Sequence, residues 1–437
     1  MRFITYNSRN YRDIEYMNYL PEEAKKEIDI VSSVIPFKTN NYVTDYLIDW
    51  ENYQQDPIYT LNFPKKEMLT ADQYERMLKV KDGRHSELEI KKTIYNIRME
   101  MNPHPAQQMT NVPVLDGEEL TGAQHKYRDI ILFFPSQGQT CHAHCTFCFR
   151  WPQFTKDLDL KFSMREINKI IEYIRRNEDI NEILFTGGDP MVMSPSELTK
   201  YVDALLESGV KNLENIRFGT KSISYWPFTY LPEFNPEAND ILQLFRKITD
   251  SGFHLSLMGH FNHPNELDNE VVQQAIHNIR ETGAEIRTQS PIIKHINDNS
   301  NDWARMWKTQ VRLGMIPYYM FVERETGPYD YFSIPLAEVY QIYQQAIRES
   351  GSFAKTVTGP VMSADKGKVH ILGVVDSPID GNKYFMMQYA RHRDYRKTFK
   401  PFFMHYHPKA TWVDQLSEAS IGTPAVASSV NDHNVEM

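Results

Sequence analysis

The chain has 437 residues, of which 41% are hydrophobic, 12% aromatic and 24% charged, with 24 prolines, 19 glycines and three cysteines. That length supports one large domain with extensions or a few ordinary ones, and the apolar and aromatic content excludes collagen-like, low-complexity and disordered classes. A formal net charge of -9 without any basic stripe argues against a nucleic-acid partner, and three cysteines are too few for a disulfide framework.

Residues 1–124 read as a mostly helical region, with charged runs at 22–29 and 87–98. Pro103, Pro105 and Pro113, followed by Asp116-Gly117, mark loops and a boundary. No chemistry-bearing pattern occurs in this part, which reads as scaffold or cover. Residues 1–10 lack the apolar core of a leader, and no stretch reaches the roughly 18 apolar residues of a membrane span. A soluble, cytoplasmic protein with no membrane partner is the expectation.

From Asp129 onward short apolar runs alternate with amphipathic segments. Strands are predicted at 131–134, 182–185, 216–219, 254–258, 285–288 and 317–322, and helices beginning near Ser163, Ser194, Asn239, Asn265, Asn301 and Pro335. Ser163-x-x-Glu166 and Ser194-x-x-Glu197 have the form of capping boxes, and Gly209, Gly252, Gly283 and Gly314 sit where helices should stop. Repeated strand-helix order calls for parallel strands with helical crossovers. Residues 125–350 are therefore predicted to form an α/β fold, a partial (β/α)6 barrel whose loops after the strands carry function. Residues 351–437 read as a C-terminal extension, with strands of a small terminal element at 369–375 and 384–387 and a polar tail or oligomer arm at 417–437.

All three cysteines lie in the loop after the first barrel strand, where 140–151 reads TCHAHCTFCFRW. Thiolates are soft ligands, and a C-x3-C-x2-C loop can wrap three of them around one face of an iron–sulfur cube, leaving one iron open. A structural zinc completed by His142 or His144, and inert buried cysteines, are the other readings. After the second strand, Thr186-Gly187-Gly188-Asp189-Pro190 combines glycines that admit a close ligand with an acid that can accept from an ammonium group. A tight strand-to-helix turn is the alternative.

Cys141, Cys145 and Cys148, with Phe147 before the last of them, resemble the radical S-adenosylmethionine superfamily. The resemblance implies a [4Fe–4S] cluster on the three cysteines and S-adenosylmethionine chelated to the open iron. It also implies an electron donor such as flavodoxin or ferredoxin, and a 5′-deoxyadenosyl radical that removes hydrogen from a substrate carbon. Gly187, Gly188 and Asp189 would then bind the methionine amino group.

Further runs, in order, are 125–129 (HKYRD), TGGDP with Ser194, 216–220 (IRFGT), 260–266 (HFNHPNE), Gln289-Ser290, Asn297-Asp298 and Pro317-Tyr318-Tyr319. Together they resemble one branch, the lysine 2,3-aminomutase family. That resemblance implies an amino-acid-like small-molecule substrate whose carboxylate Arg150 anchors, with Phe147, Arg217, His260 and Gln289 lining the cofactor pocket. It also implies pyridoxal phosphate on a lysine, for which Lys366 and Lys368 in 359–368 (GPVMSADKGK) are the candidates.

The chain departs from the branch in several places. The glycine run near the lysine is absent, and Trp151-Pro152 replaces an arginine pair. Arg324, flanked by Glu323 and Glu325, stands where an acid would hold a lysine substrate's ammonium. An arginine repels an ammonium and prefers an anionic or neutral group. No cysteines remain for the family's second, zinc-binding site, so any homo-oligomer is held without them. The reading is a divergent radical S-adenosylmethionine enzyme without pyridoxal phosphate, in which no lysine amine points into the barrel mouth. A true pyridoxal-phosphate-dependent aminomutase, and a non-enzymatic iron–sulfur or zinc protein, are the alternatives.

Overall fold

The computed structural model describes residues 1–102, 110–155 and 162–419. Pro103, Pro105 and residues 420–437 of the expected tail lie outside the described residues.

A twelve-stranded sheet organises the chain. Its strands are β1 (Ala123–Tyr127), β2 (Ile130–Phe133), β3 (Glu182–Phe185), β4 (Asn215–Thr220), β5 (His254–His260) and β6 (Glu285–Ile292). They continue as β7 (Ile316–Val322), β8 (Thr358–Ser363), β9 (Gly367–Asp376), β10 (Lys383–His392), β11 (Pro401–His405) and β12 (Glu418–Ala419). Strands β2 to β8 are parallel and adjacent in chain order. Strand β1 pairs antiparallel with β2, and β9 to β12 follow β8 antiparallel.

Helices α1 (Ile167–Arg176), α2 (Pro195–Glu207), α3 (Ala238–Asp250), α4 (Glu270–Arg280), α5 (Ser300–Arg312) and α6 (Leu336–Ser350) supply the six crossovers, so the partial (β/α)6 barrel is present. Each is held by an apolar face. In α1, Ile167, Ile170, Ile171 and Ile174 fall on one side at helical spacing and are buried, each contributing about 2 kcal/mol. Ser194 caps α2 as expected: its hydroxyl accepts from the Glu197 N–H at 3.3 Å, and the Glu197 carboxylate accepts from the Ser194 N–H at 3.1 Å. The four glycines expected to stop helices all take positive φ just past the ends of α2 to α5.

Two helix starts differ from the sequence reading. Ser163 caps nothing, because Met164 is drawn into extended pairing with Pro135: the Met164 N–H donates to Phe134 O, and the Ser136 N–H to Met164 O, both at 3.0 Å. Helix α1 therefore begins at Ile167, and the Glu166 carboxylate accepts from the Arg165 N–H instead. Asn265 lies in a short 3-10 turn (Pro264–Leu267), and α4 is capped by Asn269, whose side chain accepts from the Val271 N–H.

The strands expected to form a small terminal element belong to the main sheet. Strand β8 continues the barrel beside β7 through Tyr319↔Thr358 and Phe321↔Val361, and β9 and β10 extend it. Along β9 burial alternates, with Val369 and Ile371 in the core and Lys368 and His370 on the opposite face. Side chains bridge the gap back to β1: Lys126 donates to Ala364 O, and Arg391 pairs with Asp129.

The N-terminal region carries helices at Glu22–Val31, Pro57–Asn62, Ala71–Val80 and Glu87–Glu100, with a two-stranded ladder of Thr5–Asn7 against Lys38–Asn40. Its buried side chains join one continuous core with those of the barrel. Among the described residues, no helix is long and apolar enough to cross a membrane.

Candidate active site

The loop after β2 carries Cys141, Cys145 and Cys148, all free and partly buried. The N-terminal region clamps it. His144 N–H donates to Lys38 O at 2.7 Å, Thr146 N–H to Leu61 O at 2.9 Å and Thr146 Oγ1 to Thr60 O at 2.7 Å. Lys38 Nζ donates to Cys141 O at 2.6 Å, and Asn40 Nδ2 to His142 O at 3.2 Å and Tyr225 O at 3.1 Å. No side-chain pattern marked Lys38, Asn40, Thr60 or Thr146, because the contacts are long-range and mostly end on backbone carbonyls.

Burial pushes the thiol of Cys145 up to about 12 and that of Cys148 up to about 11, so the metal-free loop holds thiols whose protons a soft metal displaces. Three sulfur donors on one braced loop fit a cluster that takes three protein ligands. Among the described residues, no three His, Cys, Asp or Glu side chains, the cysteines included, converge on one point, so the fit is one of donor chemistry, and neither histidine is turned to join the thiols. The His144 ring instead stacks on Phe154 at 4.0 Å, and His142 Nδ1 lies 4.0 Å from Asp189 Oδ2.

The Gly-Gly-Asp turn after β3 packs directly on the start of this loop. A Cβ on Gly188 would meet Thr140 O at 2.3 Å, and one on Gly187, whose φ is +136°, would meet Gln139 Nε2 at 2.3 Å. Asp189 N–H donates to Thr140 O at 2.7 Å. The Asp189 carboxylate is 1% exposed and accepts from Thr220 Oγ1 at 2.8 Å and from the N–H groups of Met191 and Lys221, each at 2.9 Å. Burial nevertheless raises its pKa to about 6. Beyond it, Lys221 Nζ pairs with the fully buried Glu266 at 2.7 Å and donates to Asn262 Oδ1 at 2.9 Å, tying the ends of β4 and β5.

Phe147 and His260 come together, with ring centroids 5.9 Å apart, and Gln289 is the register neighbour of His260 on β6. Burial holds His260 neutral, and among the described residues its Nε2 has no partner. Arg217 lies apart from this group. Its guanidinium bonds Glu182, the first residue of β3, at 2.6 Å, at the end of the barrel opposite the cysteine loop.

Residues 136–305 match the Radical SAM superfamily. A protein of Aquifex aeolicus (strain VF5) with the provisional name L-lysine 2,3-aminomutase is 30% identical over 406 residues, covering 93% of this chain and 94% of that protein. The chain belongs to the lysine 2,3-aminomutase family of radical S-adenosylmethionine enzymes. The L-lysine 2,3-aminomutases of Methanococcus maripaludis and Clostridium subterminale are 23% and 25% identical, covering 79% and 55% of this chain and 70% and 52% of those proteins. Among solved structures, Streptococcus suis SuiB bound to precursor peptide SuiA aligns with a TM-score of 0.35 and 11% identity over 62% of this chain and 55% of that one.

Two features of this family member bear on ligands. Arg150, just beyond Cys148, has its guanidinium 4.6 Å from the Phe134 ring and 5.0 Å from the Phe149 ring. Burial, then the charge of Arg324, lowers its pKa to about 10. Of the two candidate lysines, Lys366 is exposed. Lys368 turns into the barrel, its amine 3.9 Å from the Tyr319 ring centroid and 4.8 Å from that of Phe321. The expectation that no lysine amine enters the barrel is thus overturned, because the alternation along β9 aims residue 368 inward. Burial, then Arg391, Arg217 and Lys126, pushes its pKa well below the ordinary lysine value.

Proposed function

We propose that the protein cleaves S-adenosylmethionine reductively at a [4Fe–4S] cluster held by Cys141, Cys145 and Cys148, and abstracts hydrogen from an amino-acid-like molecule at the barrel mouth. The observation that carries this reading is the braced loop of three thiols in a chain with no fourth cysteine. When bound, the cluster supplies one electron to the sulfonium and so a 5′-deoxyadenosyl radical, chemistry outside the reach of acid or base side chains. A low-potential electron donor such as flavodoxin or ferredoxin is the implied partner.

The chain's own residues do the positioning. Arg150 offers a fork suited to a substrate carboxylate. Gly187 and Gly188 keep the backbone bare where the second loop meets the first, and Asp189 fixes that turn through its hydrogen bonds. Phe147 beside His260 supplies a wall that excludes water from a reactive radical. Anaerobic reconstitution tests the reading: reduced, iron-loaded protein should release 5′-deoxyadenosine from S-adenosylmethionine, and Cys145→Ala should release none. Loaded protein that releases none would sink it.

Lys368 favours a second, more specific reading, the pyridoxal-phosphate-dependent aminomutase. A lysine that condenses with an aldehyde must be neutral at working pH, which burial and neighbouring cations arrange here. Lys126 lies near it, with Arg391 and Arg217, each of which already pairs with a carboxylate. Bound there, the coenzyme would supply the conjugated system through which an amino group moves between neighbouring carbons. Borohydride treatment in the presence of pyridoxal phosphate should fix the coenzyme to unmodified protein and to Lys366→Met but not to Lys368→Met. A reducible adduct that survives in Lys368→Met would refute this assignment.

A further inference from the structure

The N-terminal region does more than clamp the cysteine loop: it lays an apolar surface beside it. Phe3, Ile4, Tyr46 and Phe234 are between 38% and 45% exposed. They are neighbours rather than scattered side chains, which is what gives exposed apolar area a meaning. The buried rings of Trp226 and Phe228, with centroids 5.0 Å apart, form their common floor. Phe3 meets Trp226 at 4.6 Å, and Phe234 and Tyr46 meet Phe228 at 5.2 Å and 6.4 Å between ring centroids. Ile4 follows Phe3, its N–H donating to Asn41 Oδ1 at 2.9 Å.

The patch touches the cysteine loop. The Phe3 ring stands edge-on to that of His142, the residue after Cys141, with centroids 5.8 Å apart, so one exposed ring links the surface to the loop. Charge is placed unevenly around it. At the end that reaches the loop, Arg2 is exposed beside Phe3, and Lys38 Nζ rests on Cys141 O at 2.6 Å and Thr140 Oγ1 at 3.3 Å. At the other end, the exposed acids Asp45 and Glu233 adjoin Tyr46 and Phe234, the two members that rest on Phe228.

We propose that this patch is where a small acidic one-electron carrier protein docks, with Phe3 and His142 between its redox centre and the cysteine loop. The proposal rests on the radical-enzyme reading above and gives a face to the electron donor that the reading requires. One electron passes from the reduced carrier to the oxidised cluster, and no bond forms or breaks. An acidic carrier is repelled by a chain of net charge -9 and finds local attraction where Arg2 and Lys38 lie. Four apolar side chains fall far short of the roughly 20–30 residues a side of a standard stable interface. A small face suits a partner that must leave after each electron, and it does not suit a permanent second copy of the chain.

Stopped-flow absorbance, following bleaching of the cluster in anaerobic protein mixed with reduced flavodoxin or ferredoxin, tests this. At least one carrier should reduce the unmodified protein, and added salt should slow the reaction. Arg2→Glu should slow it about tenfold, and Arg2→Lys should keep the rate, since the sign of the charge is what matters there. Phe234→Asn should slow it several-fold. Dithionite, too small to need a docking face, should reduce all of these proteins alike. Natively folded Arg2→Glu and Phe234→Asn proteins that accept electrons from the carrier as fast as the unmodified protein overturn the proposal. So does a dimer, seen by sedimentation velocity, that Phe234→Asn breaks, because the patch then belongs to a second copy. Dithionite also separates the two levels: release of 5′-deoxyadenosine with dithionite in a protein that neither carrier reduces overturns this inference alone, whereas no release from loaded, dithionite-reduced protein overturns the radical-enzyme reading as well.

Discussion

Asp189 offers a quantitative test of how the site is built. Its carboxylate is buried under the turn that docks on the cysteine loop, and its pKa is raised from 3.8 to about 6 by burial, against the hydrogen bonds from Lys221, Met191 and Thr220. A group whose native pKa is raised binds its proton more tightly when folded, so stability falls as pH rises between the unfolded and folded values. Two pKa units correspond to about 3 kcal/mol, and full burial leaves no solvent screening to discount. His142, 4.0 Å away, is held neutral by burial with a pKa of about 3 and adds no opposing titration in this window. Asp189→Asn keeps the shape and removes the ionisation. Urea unfolding of the cluster-free proteins, followed by circular dichroism from about pH 4 to about pH 7, should show the wild-type stability dropping relative to Asp189→Asn by about 3 kcal/mol. A flat or rising difference would show that the donors around Asp189 outweigh its desolvation.

Other substitutions probe the same architecture. Gly188→Ala puts a methyl 2.3 Å from Thr140 O and should cost about 1–3 kcal/mol while lowering iron loading of the loop; full loading would contradict the docking. Lys221→Met strands the buried Glu266 carboxylate and should destabilise by about 3–5 kcal/mol, with much of that recovered when Glu266→Gln is added; an unrecovered loss would point to packing rather than charge. Thr146→Val removes the hydrogen bond to Thr60 O and should cost about 1 kcal/mol, read as a lowered Tm of the metal-free protein; an unchanged Tm would mean that the clamp does not hold the loop.

Local signals were readable where one segment decides its own structure. The alternation of short apolar runs with amphipathic stretches marked six strands and six crossovers, and Ser194 announced α2 because its cap partners lie within four residues. Ser163 carries the same pattern and fails, since a non-local ladder with Phe134 and Ser136 claims its neighbour Met164. Arg217 and Asp189 were legible as polar residues on barrel strands or their loops but not in their bonding: one turns to Glu182 below, the other to backbone N–H groups beside it. The choice between Lys366 and Lys368 needed the register of β9, which places residue 366 in the turn and residue 368 on the inner face. The clamp from Lys38, Asn40 and Thr60 was unreadable, because it joins residues far apart in sequence through carbonyl groups that every residue possesses.

Net charge illustrates the same point at the scale of the whole chain. A balance of -9 argues against a polyanionic partner such as nucleic acid, yet it conceals a barrel mouth and interior lined with basic side chains. The sum is dominated by exposed carboxylates that solvent screens, while Lys126, Arg150 and Arg324 act where water is scarce and each charge counts for more. Two of the interior basic side chains, Lys368 and Arg391, come from β9 and β10, strands beyond the six crossover units. The continuation of the sheet past the barrel therefore does more than cap it. It carries Lys368 and Arg391 to the side of the barrel that the six units leave open.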